Sequence, residues 1–499
     1  MRCVFSSSLN EKYFRTYFLP LLVASLLISG TATAQVTLTQ VSADPFLVGP
    51  GQHATEVEPH VLAHGSTLVA AFQTGRIIPG GSTDIGWATS RDAGKTWTHG
   101  FLPGLTKGEG TGPYDAISDP AVAYDAKHNV WMIASLPISN TLQTPAVVVS
   151  RSLDGGLTWQ HPVSVDVASQ SSDKNWIVCD NSASSSFRGH CYIEWDDPSN
   201  GDDILMSTSS DGGLTWGAAI SLRSFGIGGQ PLVQPSGTVI VPIETNNMGA
   251  FRSTNGGLTW THPADFATIQ SHSEAAGLRS GPLPSAAMDG AGTVYVAWSD
   301  CRFRAKCSAN DLVYSKSTDG IHWSAVKRIP VDAVNSPVDH FLPGIGIDPV
   351  TKGATAHIGV HYYYYASSAC SLTSCRLFVG YISSANGGST WNAPAKLAGP
   401  MQLAWLPNSQ NGLMVGDYLA TAFTNGVPHG VFAVAVAKSG GKFRETMQTA
   451  QGLTAAMVGP QLSSAGDRPL HSLSDVIPRE KPEKGLIPPF RRAARRSVK

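Results

Sequence analysis

The apolar residues of this chain come in short runs, broken every few positions by Gly, Pro, Asn, Asp or Ser, and the runs fall into a repeating order. A first strand is predicted at Pro59-His60-Val61, a second over 68–72 and a third over 84–90, followed by a turn and a fourth strand. The order returns with first strands at Pro120-Ala121-Val122, Trp176-Ile177-Val178, Pro231-Leu232-Val233, Ser285-Ala286-Ala287 and Gly344-Ile345-Gly346. Second strands are expected at 130–134, 191–195, 239–243, 294–298 and 356–361. A seventh unit begins at Asp417-Tyr418-Leu419 and continues over 430–437 and 443–449, and residues 36–42 would supply its fourth strand.

One turn motif joins third strands to fourth. It runs from Ser90 to Trp97, Ser152 to Trp159, Ser209 to Trp216, Ser253 to Trp260 and Ser384 to Trp391, with a copy one residue shorter from Ser317 to Trp323. The copies lie roughly 45 to 65 residues apart, the period of propeller blades. Within the motif, Asp or Asn bonds nearby backbone N–H groups and Gly accepts a positive φ. The closing Trp is expected to bury its ring against its own blade. Asn255 and Asn386 stand where other copies carry Asp, so the acid is read as structural and not catalytic. The expected fold is all-β: a β-propeller with four antiparallel strands per blade and the N-terminal strand closing the last blade. Seven blades are favoured, with six as the alternative.

Composition sets the surroundings. Residues 1–34 combine early basic residues, an apolar run from Phe18 to Ile28 and Ala32-Thr33-Ala34, the pattern of a cleaved secretory signal peptide. The run is shorter than the roughly 20 residues a spanning helix needs. Six cysteines follow in three close pairs, Cys179 with Cys191, Cys301 with Cys307 and Cys370 with Cys375, read as disulfides of a secreted or periplasmic protein. A net charge of -1 gives no general attraction to nucleic acid. Neither a cofactor nor a metal is expected, and a monomer is. The propeller is placed at 35–462 and a basic, disordered tail at 463–499, ending in Arg491, Arg492, Arg495, Arg496 and Lys499.

The six turn motifs resemble the Asp-box, or BNR, repeats of the sialidase superfamily, and the resemblance covers nearly the whole of 35–462. It implies a propeller and points to carbohydrate outside the cytoplasm. In that family three arginines grip a substrate carboxylate, a Tyr–Glu pair supplies the nucleophile and an Asp is the acid/base. The family's Phe/Tyr-Arg-Ile-Pro motif is absent. Gly75-Arg76-Ile77-Ile78-Pro79 only loosely echoes it, so no catalytic residue is carried over.

Site candidates come from topology instead. If the turn motifs occupy one rim, loops between second and third strands and between blades share the other, where functional groups concentrate. The former supply Arg76, Asp196, Asp197, Glu244, Asp300 and Arg302; the latter supply Glu58, Asp119, Arg279, His340, Asp417 and Tyr418. Glu244, Asp417, Tyr418, Arg76, Arg279 and Arg302 are taken as the catalytic set for hydrolysing a terminal sugar, an acidic one if the arginines bind a carboxylate. The alternative is a non-catalytic propeller that holds a glycan or protein at the same mouth. Each candidate also has a structural reading: Glu58, Asp119 and Asp417 as caps on exposed backbone, and Asp300 with Arg302 as a local pair.

Overall fold

The computed structural model describes residues 36–167 and 171–470. The expected signal peptide at 1–34, and the tail from residue 471 onward, lie outside the described residues. The fold is all-β, with helix among the described residues confined to five short 3-10 turns. None is long and apolar enough to cross a membrane.

The described strands form seven four-stranded antiparallel meanders, at 52–101, 116–166, 173–225, 232–268, 285–328, 339–402 and 421–450. The seventh takes Leu38–Gln40 as its fourth strand, pairing antiparallel with 448–450. The first two sheets also share one bridged pair, Ser82 with Ile117. Inner strands such as Ser82–Ser90 and Val130–Ile138 are buried at every position. Covered on both faces, they read as continuous apolar and small residues. The fourth strand Ile220–Phe225 alternates with exposed positions instead.

Packing explains this burial. Val69, Ile85 and Trp87 of the first sheet cluster with Val122, Trp131 and Ile133 of the second. Met132 and Val147 meet Ile193 and Trp195 of the third sheet, and further clusters join the third to the fourth, the fourth to the fifth and the fifth to the sixth. A last cluster joins the sixth and seventh sheets to Val61, Leu68 and Phe72 of the first. Residues of all seven first strands line one cavity of about 540 Å³. Side chains stitch these strands together: His60 Nδ1 accepts the Val122 N–H at 2.8 Å, Gln230 the Ala286 N–H at 2.8 Å and Ser285 the Ile345 N–H at 3.0 Å.

The turn motifs behave as their chemistry requires. Asp154 Oδ1 accepts the Thr158 N–H at 3.0 Å, Oδ2 accepts the Thr158 hydroxyl at 2.6 Å, and Ser152 Oγ takes the Gly156 N–H at 2.9 Å. Asn255 keeps the Thr259 N–H bond at 3.0 Å and donates its amide to the Thr259 hydroxyl at 2.8 Å. The closing tryptophans differ from expectation. Trp159 and Trp391 are buried, but Trp97, Trp216, Trp260 and Trp323 are only partly buried where they pack against the apolar clusters. Three disulfides join Cys179–Cys191, Cys301–Cys307 and Cys370–Cys375.

Candidate functional site

Four first strands open with the same irregularity. Their pairing slips between Val57 and His60, Ser118 and Ala121, Asp173 and Trp176, and Phe341 and Gly344. At each slip one non-glycine residue takes a positive φ: Glu58 at 54°, Asp119 at 51°, Lys174 at 49° and Leu342 at 51°. An extra residue in one strand re-aims its side chain, and a left-handed non-glycine costs about 1–3 kcal/mol. In the first three sheets the re-aimed side chains carry charge and meet.

Lys174 Nζ bonds the Asp417 carboxylate and lies 3.6 Å from Asp119 and 3.9 Å from Glu58. Arg279 grips Asp417 from its other side through two nitrogens, Nε at 2.7 Å from Oδ1 and Nη2 on Oδ2. Such bidentate pairing is strong and geometrically specific. Burial works against ionising Asp417, yet Arg279 and Lys174 hold its carboxyl below the usual range. Burial, then Asp119 and Asp417, push Glu58 well above the usual range. Asp173 is raised to about 7, by burial and then by Asp119. The mouth therefore holds one carboxyl kept ionised beside another that favours its proton.

Arg279 borders two small cavities of about 40 Å³ each. One is lined by Glu58, Arg76, Asp119 and Asp173, the other by Ile227, Glu244, Ser280 and Asp417. Arg279 thus connects Arg76 in the first cavity with Glu244 and Asp417 in the second. Tyr418 adjoins Lys174, its ring 5.7 Å from Lys174 Nζ and its hydroxyl donating to the Pro120 carbonyl at 3.2 Å. Burial, then Glu58, raise its phenol well above the ordinary value, which keeps it a donor. Arg302 borders neither cavity. Its Nε and Nη2 lie on Asp300 at 2.8 Å each, beside the Cys301–Cys307 bridge.

Lys174 carries no motif, but it stands in the third sheet where Glu58 and Asp119 stand in the first two. Aligning the starts of the first strands exposes it. The buried Glu194 and Asp196 also face this region, and burial raises both well above the usual range. Elsewhere Asp311, Asp332 and His340 bring ligand atoms within 4.8 Å of one another. Arg304 and Arg328 already pair with both carboxylates, so cations of the protein itself fill that cluster.

No family model matches the chain. A sialidase from Bacteroides fragilis (strain YCH46) is 32% identical over 111 residues, covering 19% of this chain and 20% of that protein. The chain thus matches about a fifth of that relative's length. Among solved structures, the intramolecular trans-sialidase of Ruminococcus gnavus is 12% identical, covers 84% of this chain and 99% of its own, and gives a TM-score of 0.40. An α-L-arabinanase of Penicillium chrysogenum is 14% identical over 83% of this chain and 98% of its own, with a TM-score of 0.42. An ulvan lyase is 10% identical over 82% and 95%, at 0.47.

Proposed function

We propose that this chain is a seven-bladed, sialidase-like β-propeller, exported from the cytoplasm, that hydrolyses the glycosidic bond of a terminal acidic sugar at the mouth around Arg279. The ring rests on the succession of face-to-face clusters and on the cavity shared by all seven first strands. Export rests on three disulfides, which persist in oxidising compartments. The observation that carries the activity is the contrast between Glu58, which favours its proton, and Asp417, held ionised beside it. A carboxyl that favours its proton is suited to act as a general acid, while the ion-paired Asp417 is suited to position its two cations.

In this reading Glu58 protonates the leaving oxygen. Glu244, across Arg279 in the second cavity, is the second carboxyl, and Arg76 and Arg279 face the substrate's acid group. Asp417 positions Arg279 and Lys174. Its two cations quench its nucleophilicity, and Tyr418 adjoins Lys174. Arg302 steadies the neighbouring loop. The test is turnover of chromogenic glycosides, including a sialoside and a glucuronide, between pH 4 and 8. Glu58→Gln and Glu244→Gln should each cut turnover about a hundredfold or more with the fold intact.

A second reading, a propeller that binds glycan or protein without cleaving it, is favoured by one observation. Arg279 and Lys174 are already engaged with Asp417, and each mouth cavity is far below the roughly 300 Å³ at which ligand pockets begin. Glycan-array binding without turnover on any glycoside would select it.

A further inference from the structure

Arg76 differs from the other buried arginines of the mouth and its surroundings. Arg279, Arg302, Arg304 and Arg328 each hold a carboxylate. Arg76 is 2% exposed, and among the described residues no carboxylate lies within ion-pair distance of it. Its three partners are neutral: Met414 Sδ at 3.1 Å, Gln410 Oε1 at 3.0 Å and the Gly81 carbonyl. Burial, then repulsion from Arg279, bring its guanidinium down to about 10. Glu58, Asp417 and Asp119 attract it through space, but none bonds it, and a buried cation with no direct anionic partner gains when an anion arrives.

Two of those partners belong to one strap. Between the sixth and seventh sheets, Asn408–Ser409 pairs with Gly412–Leu413 as a small hairpin with Gln410 and Asn411 at its tip. Gln52 fastens it to the first sheet, donating to the Asn408 carbonyl at 2.7 Å and accepting its N–H at 2.9 Å. On the far side the Leu413 carbonyl takes the Arg279 N–H at 2.7 Å, and the Val415 carbonyl takes the Glu58 N–H at 3.1 Å. At Gly412 a Cβ would meet the Gly277 carbonyl at 2.2 Å, so the strap lies tight against the loop before Arg279. Gln410 itself is exposed and lines the first cavity.

We propose that Gln410 is a removable stopper on Arg76: an oxyanion, carboxylate or sulfate, enters the mouth by displacing the Gln410 amide and taking its place on the guanidinium. An amide oxygen holds an arginine less strongly than an oxyanion does, because the oxyanion adds its own charge and can take two parallel N–H bonds from the guanidinium. The exchange needs only an exposed side chain to turn outward, while Gln52 and Leu413 keep the strap in place. Gln410 is thus a specificity-determining residue that admits anionic sugars over neutral ones. This rests on the mouth being the ligand site, though not on its being catalytic.

The test is calorimetric titration of the full chain with potassium sulfate at low ionic strength, comparing the natural protein with Gln410→Ala, Gln410→Glu and Arg76→Lys. Because Gln410 is exposed, its variants should fold normally. Gln410→Ala, which no longer has a bond to break, should bind sulfate about three- to tenfold more tightly. Gln410→Glu should abolish saturable binding by supplying its own carboxylate, and Arg76→Lys should weaken binding strongly because a point charge cannot copy the planar fork. Equal affinity in all Gln410 variants, or no saturable binding to Gln410→Ala, overturns the proposal. Binding unchanged in Arg76→Lys identifies an adventitious ion only and overturns it too. Sulfate binding that follows Gln410, without glycoside turnover, would defeat hydrolysis alone; turnover without any Gln410 effect would defeat the stopper alone.

Discussion

Replacing Lys174 with Met removes a charge that three carboxyls share. The side chain is 2% exposed, so Asp119 and Glu58 lose a cation 3.6 and 3.9 Å away with no water to replace it. Asp417 keeps Arg279. Breaking a buried ionic network from one side costs about 3–5 kcal/mol, and the retained Arg279 places Lys174→Met near the lower end. The loss should depend on pH. Glu58 already has a raised pKa, so the folded protein binds its proton more readily than the unfolded chain does. Stability therefore falls as pH rises from the unfolded value of about 4.5 toward the folded one. Asp173, raised to about 7, is held down in part by Lys174, so without Lys174 its pKa climbs past 7, and each added pK unit is worth about 1.4 kcal/mol at pH 8. Lys174 itself is held protonated above its ordinary range, so its own contribution is constant below about pH 10. Urea unfolding followed by tryptophan fluorescence and circular dichroism at pH 5 and pH 8 should show the larger destabilisation at pH 8. A loss below about 1 kcal/mol at both values, or a larger loss at pH 5, refutes the assignment of Lys174 as keystone of the mouth.

Asp154→Asn should leave stability at pH 7 nearly unchanged, since Asn255 and Asn386 make the same bonds. Asp154 is depressed to about 2, so its contribution is present above roughly pH 4 and disappears as pH falls toward 2; acid titration of Asp154→Asn should be flatter there. Trp159→Ala should cost about 3–5 kcal/mol by denaturant unfolding and Trp97→Ala clearly less, because only the former ring is buried. Peptide mapping without reductant should return the three local disulfides, and replacing Cys179 and Cys191 together should cost about 2–3 kcal/mol. Crossed bridges, or a neutral double replacement, would contradict these expectations.

Much of the scaffold was legible because its signals are local. A turn that must satisfy its own N–H groups leaves Ser, Asp or Asn, Gly and Thr at fixed offsets, and the strands around it inherit the spacing. Short cysteine separations of 12, 6 and 5 likewise pointed to local bridges. The mouth was harder to read, since its contacts join residues far apart in the chain, such as Lys174 with Asp417. Topology alone drew attention to Arg279, Asp417, Arg76 and Glu244, which border the two cavities described above. Lys174 escaped notice because a one-residue bulge, and not strand alternation, decides where its side chain points. Arg302 and the partly buried tryptophans show the converse: residue type and approximate position do not reveal which neighbour claims a side chain.

The pairing of Leu38–Gln40 with the strand at 445–450 has a consequence for the order of folding. Each other sheet is assembled from a continuous stretch of chain and can form as soon as that stretch is available. The seventh cannot be completed until its most C-terminal strand meets one about 400 residues upstream, the longest strand-to-strand connection among the described residues. Loop-closure entropy grows only logarithmically with length, so the delay need not weaken the finished sheet. It does place this contact late, and it leaves the outer edge of Glu445–Ala450 as an unpaired template while the rest of the molecule is already built. Leu38–Gln40 thereby acts as a latch, and intermediates lacking it are the ones expected to aggregate.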